Sequence, residues 1–324
     1  MKKIISLVYT AILFLPIFAF AQNGIEQGKS DKTNFSLNTP SGEIRDIYPR
    51  KGKFFVFWGY NREAYTHSDI HFNGDGYDFS VTDIRAVDEP SSLSMMYLKP
   101  NAFTVPQFNI RAGYYLSDKN FISFGTDHMK YSMVKQTSRL TGTITKGINQ
   151  GTYNNAEVTV GEHSDFGNNG PSIIDNLPTG FVSNFEHCDG LNDVSAEFGR
   201  LEQLWISKNK QHALSIVGSV CLGMVIPDSD VDVLGQPPKH DMDQNKKAYH
   251  LAGYSTSATM GLQFDMFNHI FILFRLKAGY MNLPDILTTV YGGKASQHFD
   301  FLETMGVVGY TFAYKHNKPK KTVQ

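Results

Sequence analysis

The segment YSTSATMGLQFDM, residues 254–266, changes character at nearly every step. Tyr254, Ala258, Met260, Leu262, Phe264 and Met266 fall on one side. Ser255, Ser257, Thr259, Gly261, Gln263 and Asp265 fall on the other. Successive side chains of a strand point to opposite faces, so this pattern dictates an extended segment between an apolar and a polar environment. Three more stretches repeat it: PQFNIRAGYYLS (106–117), HALSIVGSVCLGM (212–224) and IFILFRLKAGYM (270–281).

A soluble sandwich also alternates, so strand length and connections must decide. These runs exceed ten residues, where soluble strands are about 5–6 long and a tilted membrane-spanning strand needs about 9–11. Short connections (SDKN at 117–120, SKNKQ at 207–211, FNH at 267–269) alternate with long polar ones (65–103, 136–180, 228–248, 288–296). That asymmetry belongs to all-β, antiparallel, up-and-down transmembrane β-barrels, with short periplasmic turns and long extracellular loops. The pattern predicts eight strands: 53–64, 104–117, 120–134, 181–207, 211–227, 249–266, 269–287 and 297–314. Residues 77–88 (YDFSVTDIRAVD) alternate too, and read as an extracellular hairpin arm or strand extension. If they span with a partner, the count becomes ten. In the fourth strand Arg200 and Glu202 share the face of Val194 and Phe198, which a β-bulge would correct. In the last strand Val308, Tyr310 and Phe312 are expected to face lipid, with Gly309 and Thr311 in the narrow lumen.

The first residues set the compartment. MKK, then IISLVYTAILFLPIFAF, then the small-x-small AFA read as a signal peptide over 1–21, cut before Gln22. Residues 22–50 lack periodicity and read as a flexible N-terminal tail, 51–315 as an outer-membrane barrel, and 316–324 as a basic C-terminal tail. A net charge of −1 with no basic stripe argues against nucleic acid as a partner. Cys188 and Cys221 would stand too far apart in the expected hairpin to bridge, and read as two buried free thiols.

Parity sends charges of both signs inward: Glu63, Arg111, Asp127, Glu197, Arg275, Lys277 and Glu303. Isolated charges in a dry lumen are costly, so these are expected to pair, Arg111 with Glu63 or Asp127 as its nearest candidates. A second group gathers where strands meet long loops: His128 in TDHMKY, His187 and Asp189 in FEHCDG, and His298 and Asp300 in QHFDF. Imidazole and carboxylate suit zinc or acid–base chemistry. Strands three and four lie across the barrel from strand eight, however, and parity turns His298 and Asp300 outward, so polar rim residues are the plainer reading. No metal or other cofactor is expected. GDGYD (74–78) and DSDVD (228–232) lack EF-hand spacing and read as solvated turns.

FWGYNREAYTHSDIHFNGDGYDFSVTDIRAVDEP (57–90), VPQFNIRAGYYLSDKNFISFGTDHMKY (105–131), FEHCDGLN (185–192) and HFDFLE (298–303) resemble an uncharacterised group of bacterial outer-membrane β-barrel proteins of the small eight-stranded type. The resemblance covers about residues 53–314. It implies the barrel and its location, with outer-membrane lipids and the barrel-assembly machinery as partners, and brings no established activity. The chain departs from the wider pattern in carrying KHNKPKKTVQ after Tyr314. Three functions follow as expectations. The first is a structural or adhesive, receptor-like protein whose extracellular loops meet an external ligand. The second is a lipid-modifying acyl hydrolase or transferase, which needs a serine activated by histidine. Its candidates are Ser68 in THSD and Ser164 in EHSD, both in long loops, and the His-x-Ser strand motif of the lipid A deacylases is absent. The third is a small pore.

Overall fold

The computed structural model describes residues 46–89, 107–162, 173–174, 177–178, 180–187, 190–239 and 249–313. The segment read as a signal peptide, most of 22–50, Cys188, Asp189, Ser164 and the basic tail lie outside them. Strands β1 (Lys53–Tyr65), β2 (Ser68–Gly74), β3 (Tyr77–Ile84) and β4 (Ala86–Val87) come first. They are followed by β5 (Phe108–Tyr115), β6 (Asn120–Met129), β7 (Ser132–Met133), β8 (Gln136–Ile144) and β9 (Gly151–Val160). Next are β10 (Ile173–Ile174), β11 (Leu177–Pro178), β12 (Val182–Glu186), β13 (Leu191–Ile206), β14 (Ala213–Pro227) and β15 (Asp230–Val233). Strands β16 (Gly253–Met266), β17 (Ile270–Leu287) and β18 (Lys294–Ala313) complete the order.

Among the described residues, eight antiparallel strands close on themselves in the order β1-β5-β6-β13-β14-β16-β17-β18, with β18 returning to β1 from Ala313↔Lys53 to Phe301↔Tyr65. Closure leaves no edge within the ring, which is what a lipid environment demands. The turns at the short-turn end are tight. Between β16 and β17, Phe267 and Asn268 both take positive φ (54° and 65°), and His269 N donates to Met266 O at 3.1 Å. Met266 pairs with Ile270 across it, so only three residues join the two strands.

Alternation maps onto the wall as its period requires. Leu222 (70% exposed), Phe274 (66%), Phe124, Val308, Leu262, Tyr310 and Phe312 point outward. Phe54 packs against Tyr114 and Phe312 at the short-turn end, while Trp58 and Tyr60 form an edge pair nearer the other end. An exposed apolar band bordered by aromatics is a lipid-facing surface. Thr311 is buried, and the Phe271 ring lies over Gly309, where an added Cβ would fall 2.0 Å from Phe271 Cζ.

The long connections are not simple loops. Strands β2, β3, β8 and β9 continue the sheet beyond the barrel from β18, starting with the pairs Lys294↔Asn73 to Gln297↔Ile70. A second sheet, β15-β12-β7-β4, lies among them. Among the described residues, thirty buried apolar ones, including Phe72, Phe79, Tyr131, Phe181, Phe185 and Phe299, make one core there, against ten in the apolar cluster at the short-turn end. Residues 77–88 therefore extend the sheet above the barrel as a hairpin and do not span.

Three expectations require correction. The fourth strand does not run unbroken over 181–207: β12 belongs to the second sheet, and β13 starts only after Gly190 at φ 133°. The third likewise divides into β6 and β7, because His187 N donates to Tyr131 O and ties that stretch into the second sheet. The bulge in β13 falls between Gln203 and Trp205, beyond Arg200 and Glu202, so those two stay outward. Exposure is tolerable at the short-turn rim, where Arg200 and Lys119 both bind Glu202.

Candidate functional site

The lumen is filled in tiers. Starting at the short-turn end, Arg50 enters from the segment before β1. It donates to Ser215 Oγ at 2.9 Å and pairs with Asp265, while Gln263 donates to Asp265 Oδ1 at 2.9 Å. Residues 46–50, read from sequence as the end of the tail, thus close that end. Above them sits the ten-residue apolar tier, including Phe55, Phe57, Phe121, Phe271 and Met305. Phe55 meets Tyr115, Phe121 and Phe271 with ring centroids 4.8–6.2 Å apart.

The charged tier comes next. Period two brings residues from β1, β5, β6, β13, β17 and β18 to one level. Lys277 Nζ donates to Asp127 Oδ2 at 2.6 Å and Asp193 Oδ2 at 2.7 Å, and lies 3.7 Å from Glu303 Oε2. Arg111 reaches Asp127 and Glu197, each at 3.4 Å, and donates to Ser195 Oγ at 2.8 Å. Arg275 pairs with Glu197 and donates to Thr259 Oγ1 at 2.7 Å. Ser123 donates to Glu197 at 2.7 Å, and Ser255 to Asp193 at 2.6 Å. All of these side chains are buried.

Six of the seven residues expected inside thus join one network. The seventh, Glu63, does not reach Arg111; it accepts from Gln107, which also donates to Asp88. Arg111 takes Glu197 in its place, since that carboxylate lies on β13, two strands along the ring and across a bore narrow enough to span. Sequence reasoning overlooked Asp193, although it shares the parity of Glu197 four residues on. It also overlooked Arg50, which no periodic pattern marks.

Buried ion pairs of this kind seldom add net stability over an apolar filling, because desolvation offsets the Coulombic gain. Their effect is to make removal of any one member costly and to hold a single arrangement. Above this tier the thirty-residue core continues upward from Tyr65, Met129, Leu191 and Val225.

The rim residues do not converge. His128 turns outward, stacks on Phe108 at 5.1 Å and has its Nδ1 2.8 Å from Asn192 Oδ1. His187 lies inside the upper core, with Nδ1 2.8 Å from Ser229 Oγ and its ring beside Tyr131 and Phe185. Burial pushes its pKa down to about 3, so the ring is neutral. His298 and Asp300 face outward into a polar cleft with His67, Asp69, Asp83 and Tyr280, where His67 Nδ1 sits 2.9 Å from Asp83 Oδ1. No three His, Cys, Asp or Glu side chains converge as a metal centre among the described residues. Ser68 Oγ lies 3.2 Å from Tyr131 Oη and accepts from Gln297 Nε2 at 2.8 Å, so the partners that hold its hydroxyl are a phenol and an amide. Cys221 is a buried free thiol facing the lumen.

No family model matches the chain, and no curated protein matches it. Among solved structures it is similar to the outer membrane protein OprG from Pseudomonas aeruginosa, 9% identical, covering 83% of this chain and 100% of that one at a TM-score of 0.36. It is also similar to Ail, the attachment invasion locus protein of Yersinia pestis, solved with the heparin analogue sucrose octasulfate; that match is 12% identical over 81% of this chain and 99% of that one, at a TM-score of 0.25.

Proposed function

We propose that this integral outer-membrane β-barrel protein is a closed, non-conducting barrel carrying a folded extracellular β-domain, and that this domain is its adhesive or receptor-like working part. The observation that carries the reading is the core above the barrel: among the described residues, twenty of its thirty side chains come from the connections between barrel strands and ten from the upper ends of the strands themselves. A protein needing only a membrane anchor or a pore has no use for so large a packed domain beyond the lipid band. The stacked apolar, charged and apolar tiers argue against a pore, because each fills the bore with side chains. Ser68, held by Tyr131 and Gln297, gives no support to acyl transfer.

Short turns are periplasmic in barrels of this type, which puts the β-domain outside the cell. The test combines two measurements. An epitope inserted at 147–149, in the turn between β8 and β9, should label on intact cells. The purified barrel should give no single-channel steps in a planar bilayer. Labelling only after lysis would reverse the orientation, and steady conductance would restore the pore.

A further inference from the structure

The charged tier is unbalanced. Among the described residues, the five buried carboxylates Glu63, Asp127, Asp193, Glu197 and Glu303 face the three buried cations Arg111, Arg275 and Lys277. Asp88 does not change the difference, because Arg62 pairs with it. Two negative charges are left over, and the contacts show where. Asp127, Asp193 and Glu197 each hold a cation within 3.4 Å. Among the described residues, Glu303 has Lys277 as its only cation, at 3.7 Å and beyond hydrogen-bond distance, and Glu63 has no cation.

These two are direct cross-strand partners: Glu63 on β1 stands opposite Glu303 on β18, both facing inward. Like charges directly opposite are destabilising even on a wet sheet, and here water is excluded. Several buried polar atoms of this tier are also unsatisfied. Glu63 Oε1, Glu303 Oε2, Asn61 Oδ1 and both side-chain polar atoms of Asn109 find no hydrogen-bond partner. Asn109 is 0% exposed, and it neighbours Gly59 of β1 and Asp127 of β6 in the register. Asn61 is tied to the pair directly, its Nδ2 donating to Glu303 Oε1 at 2.9 Å.

Two carboxylates, each with one oxygen lacking a donor, and two amide oxygens without one, with two charges in excess, suit one hard divalent cation that takes oxygen ligands. We propose that Glu63 and Glu303, with Asn61 and Asn109, form a buried calcium-class cation site at the level where barrel meets extracellular domain. The ion would hold β18 to β1 at the seam that closes the barrel. It would also steady Gln107 and Asp88, which reach Glu63 from the chain entering β5 and leaving β4.

The test uses the full chain folded in detergent micelles, stripped with chelator and then given calcium alone. Wild-type protein should retain about one calcium per chain after gel filtration, and its thermal transition should rise by several degrees. Glu63→Gln and Glu303→Gln should each weaken binding about tenfold or more, since affinity follows ligand charge. Asn109→Ala, which alters no charge, locates the site should a glutamine variant fail to fold. Asp83→Asn, in the separate outward cleft, should leave the calcium response unchanged. A calcium shift that survives both glutamine variants and Asn109→Ala would overturn the assignment. So would a wild-type protein that retains no calcium and is stabilised by mild acid, as carboxyls carrying the balancing protons themselves would be.

Discussion

Replacing Lys277 by Met keeps much of the stem's volume and removes the cation that three carboxylates share. Asp127 keeps Arg111 at 3.4 Å, but Asp193 is left with the Ser255 hydroxyl at 2.6 Å. A buried carboxylate stripped of its ionic partner costs about 3–5 kcal/mol, far more than the intact pair contributes net. The loss should be partly recovered by Asp193→Asn in the same chain, with a coupling of about 1–3 kcal/mol between the two changes. Lys119→Met is the control. Its pair with Glu202 has a similar length, 2.9 Å, but both side chains are over 40% exposed, and the cost should stay within about 1 kcal/mol. Urea titration of the micelle-folded barrel reads all three, by the mobility of the unboiled band and by the emission of Trp58 and Trp205, two of the chain's outer-wall residues. If Lys277→Met cost no more than Lys119→Met, the charged tier would be hydrated, and the argument for a dry, filled lumen would fail.

On the lipid face, Leu262→Arg should destabilise by about 2–4 kcal/mol near the midplane in the same titration; a neutral result would mean the outward wall is not in lipid. Gly309→Ala should cost about 1–3 kcal/mol, because the new methyl must displace the Phe271 ring, and a Phe271→Ala background should relieve it. For pH, His187 is neutral in the folded domain, its pKa pushed down by burial from the ordinary histidine value of 6.5 to about 3. The unfolded segment takes up a proton first as pH falls, so the domain keeps full stability above about pH 6.5 and loses about 1.4 kcal/mol per unit below it, until about pH 3. Limited proteolysis should therefore cut the domain above the barrel faster at pH 5 than at pH 7, and His187→Gln should remove that difference.

Much of the barrel was legible from alternation alone. A strand's side chains change face at every residue, so one apolar anchor such as Leu262 sets the environment of its whole strand, and Arg111, Arg275, Lys277 and Glu303 were placed inside on that ground. Asp193 was equally legible and was overlooked. The partners were not. Parity says that Arg111 points inward, but whether it meets Glu63 or Glu197 depends on register and strand tilt across the closed ring. The opposition of Glu63 to Glu303, 240 positions apart, exists only once β18 returns to β1. The domain above the barrel shows the same division more sharply. The alternation of 77–88 was visible, yet 136–144 read as part of a polar loop and 182–186 as the start of the fourth spanning strand, because a short strand with one apolar face cannot be told from loop or from a longer strand until something covers that face. What covers them is brought from at least six separate stretches of chain, among them Phe72, Tyr131, Leu140, Phe185, Val231 and Phe299. Local sequence determines which way a side chain points, since that depends on backbone geometry within a few residues. Closure, register and the shared core depend on contacts between distant segments, and only the tertiary structure decides those.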